Sequence, residues 1–302
     1  MRLLFYVYVS VIPLNSEKTQ EVRSFMKNLF IGAAMGAALL SMQSAEAATF
    51  RKVAEFDVPE ANQAVCVDKE NFYAINNCTI AKYEKHSGRL VEKWEGTKDG
   101  QIKHLDSGLV MDGKIYCAHS NYPQWPMTSS VEVWDAATMK HLATHSFGIH
   151  WGSLTWLDWH DGFWWSGFAN YEKPYGPNKT PYGFKACTTI VKFDKNWQWQ
   201  EAWVLPQKIL ERLDDMSNSG GSWGPDGYLY LSGHDPMEVY KCRLPQMGST
   251  IELVEILPLD IRGQGIAWDR SDVKTLYGII RASKEEKAAG KTHKVTVSVM
   301  ED

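Results

Sequence analysis

One frame recurs along this chain and constrains its fold more than any other feature. Asp112-Gly113-Lys114-Ile115-Tyr116, Asp161-Gly162-Phe163-Trp164-Trp165 and Asp226-Gly227-Tyr228-Leu229-Tyr230 each place an aromatic four residues after the aspartate of an Asp-Gly pair. Looser copies run from Asp68 to Tyr73 and from Asp272 to Tyr277. Asp-Gly between apolar runs marks a hairpin turn, because glycine enters the positive-φ region without steric cost. Each copy follows an apolar stretch and precedes a further strand pattern, at residues 80–83, 131–134, 190–193, 237–240 and 295–297. Self-similar units of four short strands and 40–50 residues are propeller blades.

The aromatics Tyr73, Tyr116, Trp165, Tyr230 and Tyr277 stand 43, 49, 65 and 47 residues apart. Counting whole blades requires knowing where the folded chain starts. From Met26 the sequence reads as a secretory signal: Lys27, an apolar run from Leu29 to Leu40, then Ala45-Glu46-Ala47 as a small-x-small cleavage site. The apolar run is too short for a spanning helix and ends in Ser, Gln and Glu. Residues 1–25 precede a complete signal and read as a mis-called leader, residues 26–47 as the signal, and residues 48–302 as one propeller domain. The alanine-rich style is bacterial, so the expected compartment is the periplasm or the exterior, with no membrane insertion after cleavage.

With that start, 25 residues precede Tyr73 and 25 follow Tyr277, and together they make one further unit. The expected fold is therefore an all-β five-bladed propeller, with six blades as the alternative. Its last blade is closed by a strand at residues 50–56 from the N-terminus. No long helical period is present, and residues 207–216 suit one short helix. The 65-residue interval holds an insertion at residues 171–184, between the second and third strands of blade 3. A second long connection, residues 206–220, enters blade 4 on the same face, and the two are expected to roof the central funnel.

Composition narrows the function. The 32 Lys and Arg against 36 Asp and Glu, with no run of like charge, exclude a basic nucleic-acid binder. The 13 Trp, 13 Tyr and 11 Phe suit pleated sheets, and most are expected in blade packing, Trp134 and Trp165 among them. Only Trp125 and Trp151 fall near the expected mouth. Five cysteines, Cys66, Cys78, Cys117, Cys187 and Cys242, lack any C-x-x-C spacing. They read as small buried residues with at most one bridge.

The repeat register names the residues expected at the funnel mouth, just before each innermost strand and just after each second strand. Blade 1 supplies Gln63, Asn76 and Asn77, and blade 2 supplies His104, His119, Ser120 and Asn121. Blade 3 supplies His150, Trp151, Asn170, Tyr171 and Glu172, blade 4 Ser222, His234 and Asp235, and blade 5 Gln264 and Arg281. Two chemistries suit such a set. His104, His119, His150 and His234 with Glu172 would converge on a divalent metal ion of unspecified identity. Alternatively a histidine among His119, His150 and His234 acts as general base while Arg281 neutralises an anion. Asn77, Asn121, Trp151, Asn170, Tyr171 and Gln264 would then hold the substrate.

Gln63-Ala64-Val65 leading to Tyr73, followed by residues 80–96 (IAKYEKHSGRLVEKWEG), resembles the opening blade of the plant-type glutaminyl cyclotransferases, which are secreted five-bladed propellers. Their acid/base glutamate follows the blade's tyrosine, and Ala74 stands there in this chain. Gly265-Ile266-Ala267-Trp268-Asp269 with Leu276-Tyr277 resembles the six-bladed gluconolactonase-like hydrolases. The expectation is a monomeric propeller enzyme working on a small molecule in its funnel, as a metal-assisted hydrolase, lyase or cyclising transferase. The alternative is a non-catalytic propeller that binds a glycan or peptide.

Overall fold

The structure is a computed structural model, and it describes residues 48–301 apart from 98, 175–178, 180 and 182. The expected leader and signal, and part of the blade 3 insertion, lie outside the described residues. Five four-stranded antiparallel sheets follow one another along the chain as the blades of a propeller. Blade 1 is β2 (Ala64–Val67), β3 (Asn71–Asn76), β4 (Thr79–Glu84) and β5 (Leu90–Glu95), innermost strand first. Blade 2 is β6 (His104–Met111), β7 (Lys114–Ser120), β8 (Ser129–Asp135) and β9 (His141–Gly148). Blade 3 is β10 (Ser153–His160), β11 (Phe163–Ala169), β12 (Thr189–Phe193) and β13 (Trp199–Val204). Blade 4 is β14 (Gly220–Trp223), β15 (Leu229–Ser232), β16 (Glu238–Arg243) and β17 (Glu252–Pro258).

Blade 5 combines the two ends of the domain. Its inner strands are β18 (Ala267–Trp268), β19 (Thr275–Ile280) and β20 (Lys294–Glu301), and its outer strand is β1 (Thr49–Asp57), antiparallel to β20 from Thr49↔Glu301 to Asp57↔Lys294. The N-terminal strand therefore closes the ring as the repeat arithmetic requires, and the six-bladed alternative is set aside. The connection into blade 4 holds α1 (Gln207–Leu210) and a 3₁₀ turn at Glu211–Leu213, shorter than the helix expected there. A second short helix, α2 (Lys284–Ala288), begins with a Ser283–Glu286 capping box. Among the described residues no helix is long and apolar enough to cross a membrane.

The recurring frame has two physical causes. In blades 2 and 3 both turn residues adopt positive φ, at Asp112 and Gly113 and at Asp161 and Gly162, the hairpin geometry that matches strand twist. In blades 1 and 4 the aspartate instead receives the hydroxyl of the frame's aromatic, Tyr73 to Asp68 at 2.6 Å and Tyr230 to Asp226 at 2.8 Å. Each blade then buries its faces against its neighbours. Trp134 of blade 2 is fully buried and meets Trp94 of blade 1 edge-on at 4.9 Å. Trp156 is fully buried, and Trp165 of blade 3 stacks on Trp203 at 5.5 Å. The tryptophan excess is thus mostly blade packing, and removing such a side chain costs about 3–5 kcal/mol. All five cysteines are free, so no bridge forms. Cys66, Cys117 and Cys242 are buried, Cys78 is partly so and Cys187 is exposed.

Candidate functional site

The innermost strands start around the propeller axis, and their leading residues build the central funnel. Its cavity of about 400 Å³ is lined by Gln63, Asn77, His104, Tyr171, His234, Gln264 and Arg281, all expected at the mouth. Five residues that the repeat register did not single out join them: Lys103, Asp106, Tyr122, Pro123 and Met216.

His104 is held by blade 1. Its Nδ1 lies 2.7 Å from Asn77 Oδ1, and the same oxygen accepts from Gln63 Nε2 at 2.9 Å. An amide oxygen only accepts, so Nδ1 carries a hydrogen, and in the neutral ring Nε2 keeps its lone pair. That Nε2 faces Asp106 Oδ2 at 3.6 Å, longer than a hydrogen bond. Asp106 occupies a β-bulge: the β6–β7 register slips between Leu105 and Gly108, so Asp106 and Ser107 oppose a single residue of β7. Its Oδ1 is buried without a partner. Burial pushes the Asp106 carboxyl above its ordinary value, while His104, His234 and Arg281 pull it back.

Across the funnel, Arg281 Nη2 lies 3.4 Å from His234 Nε2 and 3.5 Å from Asp235 Oδ1. Burial lowers the Arg281 pKa and also that of His234, the latter with help from the Arg281 charge. His234 Nδ1 meets Asp235 Oδ2 at 2.5 Å. The loop after blade 4 presses on this histidine so closely that a Cβ at Gly263 would lie 1.4 Å from the His234 carbonyl oxygen, and Gly263 also has a φ of +63°. The next residue, Gln264, takes a φ of +102° and lines the funnel, with strain concentrated where the backbone serves the cavity.

The long connections form a roof. Tyr122 packs over His104 with ring centroids 5.0 Å apart, and Tyr171 lies 5.7 Å from Tyr122. Lys173 of the blade 3 insertion pairs with Asp215 of the blade 4 connection at 2.9 Å, and its ammonium is 3.2 Å from Met216 Sδ.

The remaining expected residues lie elsewhere. His119 sits on a second strand, so its side chain points to the neighbouring blade rather than to the axis. It lines a cleft between blades 1 and 2 with Asn121. Burial brings His119 down to about 4. Asn121 fastens its own loop, donating to Pro126 O and accepting from Thr128 N. His150, Trp151 and Asn170 line a third cavity of about 330 Å³ together with Trp125 and Ile149. There Asn170 Nδ2 donates to Trp151 O and Cys187 O. Glu172 is exposed, Ser120 is fully buried against Ser153, and Ser222 bonds Asp158. The five expected metal ligands are therefore divided: His104 and His234 share the funnel, while His119, His150 and Glu172 lie outside its lining. Among the described residues no three His, Cys, Asp or Glu side chains are gathered as a metal site. Ala74, the counterpart of the cyclotransferase glutamate, is fully buried in blade 1.

A scan of family profiles finds no match to the chain, and neither does a search of curated proteins. Solved structures do match it in shape. A luciferin-regenerating enzyme aligns over 84% of this chain and 95% of its own, at 9% identity and a TM-score of 0.50. The WD40 repeats of RRP9 align over 84% and 98%, at 11% identity and a TM-score of 0.43. The U3-55K structure aligns over 83% and 98%, at 12% identity and a TM-score of 0.44. What this chain shares with the luciferin-regenerating enzyme is the propeller architecture.

Proposed function

We propose that this chain is an exported, periplasmic propeller enzyme that performs acid–base chemistry on a small carboxylate-bearing molecule in its funnel. One observation carries the reading: a largely desolvated arginine, Arg281, shares a cavity with the His104–Asp106 pair, whose facing acceptors stand 3.6 Å apart. A guanidinium removed from water is stabilised by a bound anion, and its paired donors match a carboxylate. His104 Nε2 and Asp106 Oδ2 both present lone pairs, so the pair suits a substrate group that arrives with a proton and gives it up. After transfer, the Asp106 carboxylate stabilises the imidazolium, and Asn77 keeps the ring in place. Gln63 and Gln264 supply amide groups beside the reacting centre. Hydrolysis, elimination and cyclising transfer all use such a step.

The metal-assisted form of this reading has less support, because its expected ligands are spread over the funnel, the His119 cleft, the His150 cavity and the exposed Glu172. The signal-like segment at residues 26–47 supports export. The non-catalytic reading has its support in the pocket shared by Trp125, Ile149 and Trp151, whose apolar lining suits a peptide side chain. A turnover screen of the mature chain against carboxylate-bearing lactones and glycosides, N-terminal glutaminyl peptides and hydroxy acids separates the two. The enzyme reading expects turnover that His104→Gln and Arg281→Gln abolish. The binding reading expects no turnover and ligand retention that Trp125→Ala removes.

A further inference from the structure

The largest cavity among those described is the cleft between blades 1 and 2, which borders the funnel at Lys103 and measures about 670 Å³. Its walls come from the end of β5, the connection into β6, the β7–β8 loop and β9. Nearly everything that faces it is a neutral hydrogen-bonding group or an aromatic surface. Gln101 and Gln124 supply exposed amides, Ser146 an exposed hydroxyl, and Trp94 a half-buried indole. The back wall is Ser129, Ser130 and Thr144.

The one carboxylate in this lining is fixed, and both its oxygens are already hydrogen-bonded. Glu132 Oε1 accepts from Ser130 Oγ at 2.6 Å, and Oε2 accepts from Thr144 Oγ1 at 2.6 Å and from His141 Nε2 at 2.7 Å. His141 donates through Nε2, so in the neutral ring its Nδ1 is an acceptor on an imidazole that is itself exposed. His119 is fixed as well. Its Nε2 accepts from the Lys103 backbone N–H at 3.0 Å, so Nδ1 donates to Ser130 Oγ at 2.8 Å. The result is a rigid polar floor rather than a reactive one, because the Ser130 hydrogen is committed to Glu132 and the His119 ring to the backbone. A wide, rigid cleft with donors and acceptors, one aromatic wall and no unpaired carboxylate matches a molecule that carries many hydroxyls and an apolar ring face.

We propose that this cleft is a carbohydrate-binding site for a neutral saccharide, separate from the funnel chemistry. The ring's C–H face packs against Trp94, while its hydroxyls exchange hydrogen bonds with Gln101, Gln124, Ser146 and His141. Hydroxyl groups both donate and accept, so they satisfy an amide, a serine and an imidazole acceptor at once. A cation would gain little, since Glu132 is already saturated, and Lys103 is the one other charged side chain in this lining.

Titration calorimetry of the mature chain with neutral trisaccharides (maltotriose, cellotriose and chitotriose) tests this. At least one is expected to bind, with a Kd on the order of 1 mM or tighter. Gln101→Ala with Gln124→Ala, both exposed loop positions that leave the core untouched, is expected to weaken that binding by about tenfold or more. Trp94→Phe, which keeps a ring beside Trp134, is expected to weaken it as well. Arg281→Gln is expected to leave it unchanged, so failure of the funnel reading and failure of this one are read separately. The proposal is overturned if none of the sugars binds, or if binding is unaffected by the paired glutamine change and is lost with Arg281→Gln.

Discussion

His104 of blade 2 donates its Nδ1 hydrogen to Asn77 of blade 1 across 2.7 Å, so the funnel's central imidazole is oriented by a different blade from the one that carries it. The tautomer follows from this contact, and so does the direction of the lone pair toward Asp106. Replacing Asn77 by Ala removes the acceptor and frees the ring. Long-range ¹H–¹⁵N spectra of the histidines are expected to show His104 as the Nδ1–H tautomer in the native chain and as a tautomer mixture in Asn77→Ala. Any turnover found is expected to fall about 10- to 100-fold through kcat, less than the roughly 10²–10⁴-fold of losing the acid–base group itself, because the imidazole remains.

Gly263 lets the loop after blade 4 lie against the backbone of His234. A methyl group there would overlap the His234 carbonyl, at a φ of +63° that side chains rarely adopt. Gly263→Ala is expected to destabilise the fold by about 2 kcal/mol or more, read as a lower urea midpoint at unchanged slope.

Acid is expected to weaken the fold through His119. Burial lowers its pKa to about 4 in the folded chain, whereas an unfolded histidine titrates near 6.5. The unfolded state therefore binds the proton first, so stability is full above about pH 6.5 and falls as the pH drops toward 4. The loss reaches up to roughly 3 kcal/mol across that window. Urea midpoints at pH 7 and pH 4.5 check it, and His119→Gln is expected to reduce the difference, with His293, also brought down to about 4 by burial, supplying a further part.

Much of this architecture was legible in the sequence, for a physical reason. Blades are local: each hairpin turn lies within a few residues of the strands it joins, so Asp112-Gly113 and Asp161-Gly162 announce their strands without reference to the rest of the chain. Counting residues on either side of Tyr73 and Tyr277 then placed β1 in blade 5. The funnel was legible where residues lead into innermost strands, as with Gln63, His104 and Gln264, because those positions converge on the axis by symmetry. It was not legible for His119 and His150. Both belong to the right face, but one points toward a neighbouring blade and the other rides an exposed turn. Asp106 was missed because a bulge turns it into the cavity, and the only trace was its place two residues after His104 on the same strand.

Ring closure by β1 has its own test. Without residues 48–57, β20 loses its outer hydrogen-bonded partner, keeping only β19, and Phe50 no longer packs against Tyr230 and Trp268. A chain starting at Val58 is expected to lose cooperative unfolding or to associate through the open edge of β20. Circular dichroism melts and sedimentation check it.

The proposed function requires the funnel to hold an anion at Arg281. Titrating the mature chain with a panel of small carboxylates and their matched primary amides, beside the Arg281→Gln variant, tests it most directly. At least one carboxylate is expected to bind, its amide is expected to bind at least about tenfold more weakly, and Arg281→Gln is expected to erase the preference. Equal binding of acid and amide, or a preference that survives Arg281→Gln, would contradict it.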